Sequence, residues 1–112
     1  MKTYVCEYTD FADFNYAADE LYDLLTDYGV GIYQANEDDN YCDWEIHCED
    51  DGETLRECIA RLKALPPDNV NEHFESDVGN KDYCTNKYVA DTLERWLEYI
   101  DKKDRVIRVH WF

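Results

Sequence analysis

The stretch Tyr41–Glu49, YCDWEIHCE, carries the clearest structural signal in the sequence. Apolar side chains occupy every second position from Cys42 to Cys48, and acidic residues or histidine occupy the positions between them. Strict alternation of this kind predicts a β-strand with one buried face. The preceding residues 30–36 predict a second strand, and Glu37–Asn40 is a run of turn-forming residues. The two strands should therefore form a hairpin.

Helical periodicity appears on both sides of this hairpin. Apolar residues at helical spacing predict a helix over residues 13–28, closed by Gly29, and a third helix from Asn86 to Asp101. A second helix should follow Gly52 and stop at Pro66-Pro67. The predicted apolar stripes of the three helices are Phe14, Ala18, Leu21, Leu25 and Tyr28; Leu55, Ile59, Leu62 and Leu65; and Val89, Leu93, Trp96, Leu97 and Ile100.

Two further strands are predicted at residues 2–9 and 105–112, the latter with Ile107, Val109 and Trp111 on one face. The element order then matches a split β-α-β pattern with one extra helix. We therefore expect a single α+β domain over residues 1–112, ferredoxin-like, with an antiparallel sheet that carries helices on one face. The irregular segment between Pro66 and Cys84 is predicted to be a long connection, in which Val70 and Phe74 anchor one short helical turn.

Composition indicates a folded protein rather than an acidic tail, because 45% of the residues are hydrophobic and 15% are aromatic. The sequence contains no apolar run long enough for a membrane span, and the first residues lack the apolar core of a signal peptide. Five cysteines without framework spacing favour reduced thiols over a disulfide scaffold. These features predict a cytoplasmic location.

Charge is distributed unevenly along the chain. Residues 1–56 contain sixteen Asp and Glu against two basic residues, whereas residues 57–112 contain eleven against nine, and the net charge is −16. Solubility alone needs only about 2–8 charges on a small domain. A concentrated negative charge favours a strongly basic partner. The commonest strongly basic protein surfaces are those that bind nucleic acid phosphates.

Two rows of acids are the candidate partner-binding residues. In the first predicted helix three aspartates recur every fourth residue, about 6 Å apart along one ridge, and no Lys or Arg lies within residues 3–55 to offset them. The second row covers the hairpin and the start of the second helix. The two rows are Asp19, Glu20, Asp23 and Asp27, and Asp38, Asp39, Asp43, Glu45, Glu49, Asp50 and Asp51. Tyr4, Tyr8, Tyr16 and Tyr22 are candidates for stacking on a partner's arginines.

No motif supports an enzyme or a cofactor site. The only serine, Ser76, lies outside any nucleophile motif, and the sequence has no glycine-rich phosphate loop. His47 and Cys48 leave opposite faces of a strand, so they make a poor catalytic pair. There is no Cys-x-x-Cys motif, and Cys42 and Cys48 would stand about 20 Å apart, too far to share one zinc ion. We predict no catalytic, cofactor-binding or metal-binding residues.

In size, charge and acidic rows such as Asp19/Asp23/Asp27, the chain resembles the small acidic inhibitors that phages and mobile elements direct against bacterial defence, the DNA-mimic antirestriction and anti-CRISPR proteins. The resemblance implies a monomer or weak dimer that binds a basic nucleic-acid-binding protein, such as a CRISPR effector, a restriction enzyme or a nuclease, and not nucleic acid itself. Two alternatives remain open. One is an immunity protein that neutralises a nuclease toxin; the other is a ferredoxin-like module for ligand sensing or oligomerisation.

Overall fold

A computed structural model describes residues 18–34, 44–75 and 84–109. In these ranges the chain is an α+β domain with three α-helices, two short 3-10 helices and one three-stranded antiparallel sheet. In chain order, the elements are α1 (Ala18–Asp27), β1 (Ile32–Gln34), β2 (Trp44–His47), α2 (Glu53–Lys63), a 3-10 turn (Glu72–Phe74), α3 (Asn86–Trp96), a second 3-10 turn (Leu97–Tyr99) and β3 (Val106–Val109).

The predicted hairpin is confirmed. β1 and β2 pair antiparallel, with Ile32 opposite Ile46 and Tyr33 opposite Glu45. The alternation in β2 also holds, since Ile46 and Cys48 are fully buried while Glu45 and His47 are only partly covered. The two strands thus present one apolar face to the core and one mixed face outward.

The last strand pairs with a different neighbour from the one that a ferredoxin-like sheet would require. β3 pairs directly and antiparallel with β2, which gives the sheet order β1-β2-β3. A ferredoxin-like sheet keeps its last strand parallel to the second arm of the hairpin and one strand away from it, so that arrangement is not confirmed. Any strand edge offers the same backbone N–H and C=O groups. The order of elements along the chain therefore does not determine which strand β3 pairs with.

One core lies between the inner face of the sheet and the helices. Ile46 and Ile107 from the sheet, Leu62 from α2 and Trp96 from α3 are all fully buried in it. The outward face is not open along its whole width, because Val106 and Arg108 of β3 are also buried. Burial of each large aliphatic side chain contributes about 1.5–3 kcal/mol, so this shared core holds the helices on the sheet.

Helix boundaries follow local chemistry. The N–H of Gly29 donates to Thr26 O and the N–H of Val30 donates to Leu25 O, a Schellman motif that ends α1 and needs the positive φ of Gly29. α2 ends at Lys63, so Leu65 lies beyond it and is exposed, contrary to the prediction that it extends the apolar stripe. The residue before a proline is disfavoured in helical conformation, which explains the early stop.

The third helix is shorter than predicted. It changes to a 3-10 turn at Leu97 and the backbone is extended at Ile100, before Asp101. The connection between Pro66 and Cys84 contains the expected short turn, since Phe74 is buried at the end of the 3-10 turn and Val70 bridges to Thr85. The predicted strand over 2–9, the turn at 37–40, Phe14 and Trp111 lie outside the described residues.

Candidate acidic interface

The outer side of α1 presents the clearest free carboxylates. Leu21, Leu24 and Leu25 face the core and are fully buried, which leaves Asp19 and Asp23 exposed one turn apart. Within the described ranges neither carboxylate forms a hydrogen bond or ion pair. Glu20 beside them is half-buried and does have a contact. These two aspartates therefore give the outer side of α1 the negative electrostatic potential that the sequence predicts for the first acidic row.

The third aspartate of this row has a structural partner. Asp27 Oδ2 lies 2.8 Å from Nε2 of His73, which belongs to the 3-10 turn. His73 Nδ1 in turn lies 3.1 Å from Oδ1 of Asn71, a side chain that is almost fully buried. Asp27 thus ties the end of α1 to the connection that follows α2. The sequence has no Lys or Arg close to this carboxylate, and its partner in the structure is a histidine 46 residues away.

Glu45 in β2 and Glu49 just after it both contact His47 within the protein. The His47 ring lies between two carboxylates, with Nδ1 3.1 Å from Glu49 Oε1 and Nε2 4.0 Å from Glu45 Oε1. The Glu45 side chain is only 18% exposed, whereas that of Glu49 is 76% exposed. Glu45 also stands between Tyr33 and Arg108 in the sheet register. Of these two acids, Glu49 is the one that a partner can reach.

Asp50 caps helix α2. Its Oδ1 accepts hydrogen bonds from the backbone N–H groups of Gly52 and Glu53, both at 3.1 Å. Its Oδ2 accepts from the Thr54 N–H at 3.0 Å and the Thr54 hydroxyl at 2.7 Å. The hydrogen bonds from Thr54, hydroxyl first and then backbone, lower the pKa of the Asp50 carboxyl. These four hydrogen bonds give Asp50 a structural role at the start of α2.

Asp51 is paired as well. Its Oδ1 accepts a hydrogen bond from Nη2 of Arg105, a residue 54 positions later in the chain. Both residues have positive φ, 61° for Asp51 and 60° for Arg105, so the two turns that face each other are tightly bent. The pair joins the start of α2 to the turn before β3. Asp38, Asp39 and Asp43 of the second predicted row lie outside the described residues.

Two acids of α3 form ion pairs with lysines. Lys87 Nζ lies 2.5 Å from Asp91 Oδ2, four residues later in the same helix. Lys63 Nζ lies 2.7 Å from Glu94 and joins α2 to α3. Counter-charges thus accompany Asp91 and Glu94, while Asp19 and Asp23 form no ion pair with any residue in the described ranges.

Tyr33 is the exposed aromatic residue that the sequence analysis missed. It is 58% exposed, and its ring lies edge-on to His47 with ring centroids 4.7 Å apart. Tyr22, one of the predicted stacking residues, is instead half-buried against Trp44, with centroids 5.3 Å apart. Tyr4, Tyr8 and Tyr16 lie outside the described residues. Side chains alternate between the two faces along a strand, and this alternation in β1 could have identified Tyr33 as the outward-facing residue.

No group of three or more potential metal-ligating side chains occurs among the residues that the structure describes. In the same residues, no helix is both long and apolar enough to cross a membrane. Comparison of the chain with models of known protein families, with curated proteins and with solved structures gives no significant match. The fold and the site therefore define a class only, a small acidic α+β domain with an exposed carboxylate surface on α1 and at the end of β2.

Proposed function

We propose that this protein is an inhibitor that occupies the nucleic-acid-binding surface of a basic enzyme, with its carboxylates in the positions that phosphates would take. The observation that carries the proposal is the exposed pair Asp19 and Asp23, which forms no ion pair among the residues that the structure describes and belongs to a half-chain almost free of Lys and Arg. Like charges one turn apart on a helix cost a few tenths of a kcal/mol each. A role in binding a basic partner would explain why these two like charges stand side by side on the helix.

Electrostatics favours a basic partner over other partners. Carboxylates at about 6 Å spacing along a helix resemble a row of backbone phosphates, and arginines that bind phosphates also bind carboxylates through two parallel hydrogen bonds. The partner-facing surface is centred on α1 and includes Glu49. Asp50 and Asp51 contribute charge to the field, although their side chains are engaged within the fold.

The resemblance to small acidic inhibitors of bacterial defence favours a CRISPR effector or a restriction enzyme as the target. A nuclease toxin neutralised by an immunity protein is the alternative, because the same charge complementarity would serve it. In either case the protein acts by occupancy, without catalysis, as a monomer or weak dimer in the cytoplasm.

Capture of the target from a bacterial lysate, followed by a competition assay, tests the proposal. The retained enzyme is mixed with a fluorescent duplex or guide RNA, and displacement by the inhibitor is followed by anisotropy at low and high salt. Displacement should weaken steeply with salt, because exposed charges are screened. A retained target that still binds its nucleic acid normally would refute the proposal.

The variant pair Asp19→Asn and Asp23→Asn locates the surface. An exposed ion pair contributes about 0.2–1 kcal/mol, so loss of both should weaken inhibition by about 2- to 30-fold. The matched control is Glu57→Gln with Glu98→Gln, which removes the same charge from exposed positions on α2 and in the 3-10 turn after α3. If the control pair weakens inhibition as much, only net charge matters and α1 is not the interface.

A further inference from the structure

A shallow cavity of about 660 Å³ lies between the base of the β1–β2 hairpin and the start of α2. Tyr33 of β1 and Gly31, the residue before that strand, form one wall. Further lining residues come from the end of β2, the turn after it and the first turn of α2: His47, Glu49, Asp50 and Thr54. Asp19 and Asp23 do not line the cavity. It combines an exposed aromatic ring with two carboxylates.

Gly31 lies against the aromatic wall of the cavity. A Cβ atom at residue 31 would lie 3.2 Å from Cε2 and 3.6 Å from the hydroxyl of Tyr33. Such a Cβ atom would crowd the ring, so the absence of a side chain at Gly31 lets the ring lie close over the backbone. His47 contacts the same ring edge-on. Tyr33 is thereby positioned by its neighbours while 58% of its surface remains exposed.

The charge in the cavity is negative. Oε1 of Glu49 lies 3.1 Å from Nδ1 of His47, and the Glu49 side chain is largely exposed. Asp50 accepts the first N–H groups of α2, and its lowered pKa keeps it ionised. The helix N-terminus therefore presents a carboxylate to the cavity rather than free N–H donors, which removes the usual preference of that position for anions.

A guanidinium group fits this combination best. It is planar, it stacks on aromatic faces and its fork of N–H donors matches a carboxylate, whereas an ammonium is a compact point charge that is more strongly hydrated. We propose that this cavity receives an arginine side chain of the partner, stacked on Tyr33 and hydrogen-bonded to Glu49. The identity of the partner rests on the proposed function, but recognition of the guanidinium does not.

The test uses the intact protein labelled with ¹⁵N and titrated with N-acetyl-arginine methylamide, with the corresponding lysine compound as the comparison. The arginine compound should shift the amide signals of Gly31, Tyr33 and His47 with a weak dissociation constant, on the order of tens of millimolar, because one stacked contact and one exposed ion pair each contribute little free energy. The lysine compound should bind more weakly. Equal shifts with both compounds, or shifts confined to other residues, overturn the assignment.

Three variants locate the contact. Tyr33→Leu removes the aromatic face, Glu49→Gln removes the charge, and Gly31→Ala crowds the ring; each should raise the dissociation constant by about 2- to 5-fold. Glu57→Gln, an exposed acid on α2 outside the cavity, is the control and should leave it unchanged. Thermal melting of each variant verifies that the fold is intact. Unchanged binding in all three cavity variants overturns the proposal.

The outcome also separates this proposal from the proposed function. If the arginine compound does not bind at the cavity but the protein still displaces nucleic acid from its target, the cavity assignment fails and the inhibitor function stands. If the compound binds as expected while no target loses its nucleic acid, the inhibitor function fails and the cavity remains an arginine-binding site.

Discussion

Replacement of Asp50 by alanine should destabilise the protein, even though it relieves charge repulsion in the most acidic half of the chain. Asp50 is the carboxylate whose structural role is best defined, because all four of its hydrogen bonds go to the first turn of α2 and the turn before it. Without these acceptors, the N–H groups of Gly52, Glu53 and Thr54 would have to turn to water.

The magnitude follows from the bonds that are lost. Loss of a side-chain cap at a helix N-terminus costs about 0.5–2 kcal/mol. Because Asp50 accepts from three N–H groups and one hydroxyl, we expect a loss in the upper half of that range, about 1–2 kcal/mol. For a domain of this size, that loss lowers the melting temperature by about 4–8 °C. Asp50→Asn retains one acceptor oxygen and should lose about half as much.

The pH dependence has a definite sign. Internal hydrogen bonds lower the pKa of Asp50 from its ordinary value of 3.8 in the folded state. The carboxylate therefore contributes stability above the unfolded value, and this contribution is lost as the pH falls through the lowered folded value. The difference between the wild-type protein and Asp50→Ala should be full at pH 7 and shrink below about pH 4.

The assay is thermal or urea unfolding followed by circular dichroism at pH 7 and at a series of acidic pH values. Asp19→Asn is the matched control, since it removes one exposed negative charge that has no hydrogen bond in the described residues. That control should melt at the same temperature as the wild-type protein or slightly higher. If Asp50→Ala melts with the wild-type protein, or if Asp19→Asn loses as much, the capping argument is refuted.

Three further predictions concern groups inside the fold. Asp101 accepts the backbone N–H groups of its own turn and a hydrogen bond from a buried arginine, and these lower its pKa to about 2. Asp101→Ala should cost about 1–3 kcal/mol at pH 7, and urea unfolding should show this difference fading as the pH falls from about 4 to about 2; a constant difference would contradict the assignment. Burial raises the pKa of Cys48 to about 11 and that of Cys58 to about 12. Peptide mapping after iodoacetamide treatment at pH 8 should find both thiols unmodified in the native protein and modified in urea, and labelling of the native protein would argue against their burial. Asn71 donates to the buried Asn86 side chain at 2.8 Å, so Asn71→Ala should lower the free energy of unfolding by about 1–3 kcal/mol, and an unchanged urea midpoint would count against this network.

The elements with strong local periodicity were predictable from the sequence. The alternation through Trp44–His47 identified both the strand and its buried face, and the apolar spacing in α1, α2 and α3 identified the helices and the residues that they bury. Gly29 was readable as a helix stop because only a residue that tolerates positive φ closes a Schellman motif easily. Periodicity succeeds here because it is set by the geometry of a single element.

The candidate site was only partly predictable. Exposure of Asp19 and Asp23 follows from the helical period, since they lie opposite the buried leucines of α1. The roles of Asp27, Asp50 and Asp51 did not follow from charge counting, because a carboxylate that binds within the fold and one that faces solvent look alike in a sequence. For Asp50, the nearby Thr54 was a local signal that could have indicated a cap.

The helices and strands, their apolar faces and the concentration of acids in the first half of the chain can thus be read from the amino-acid sequence. The pairing of β3 with β2 and the partners of the acids depend on the packed fold, as with His73 for Asp27, 46 residues away, and Arg105 for Asp51, 54 residues away. The reason is physical: periodicity reports which side of an element is apolar, but hydrogen bonds and ion pairs form between whichever groups the packed core brings within about 3 Å.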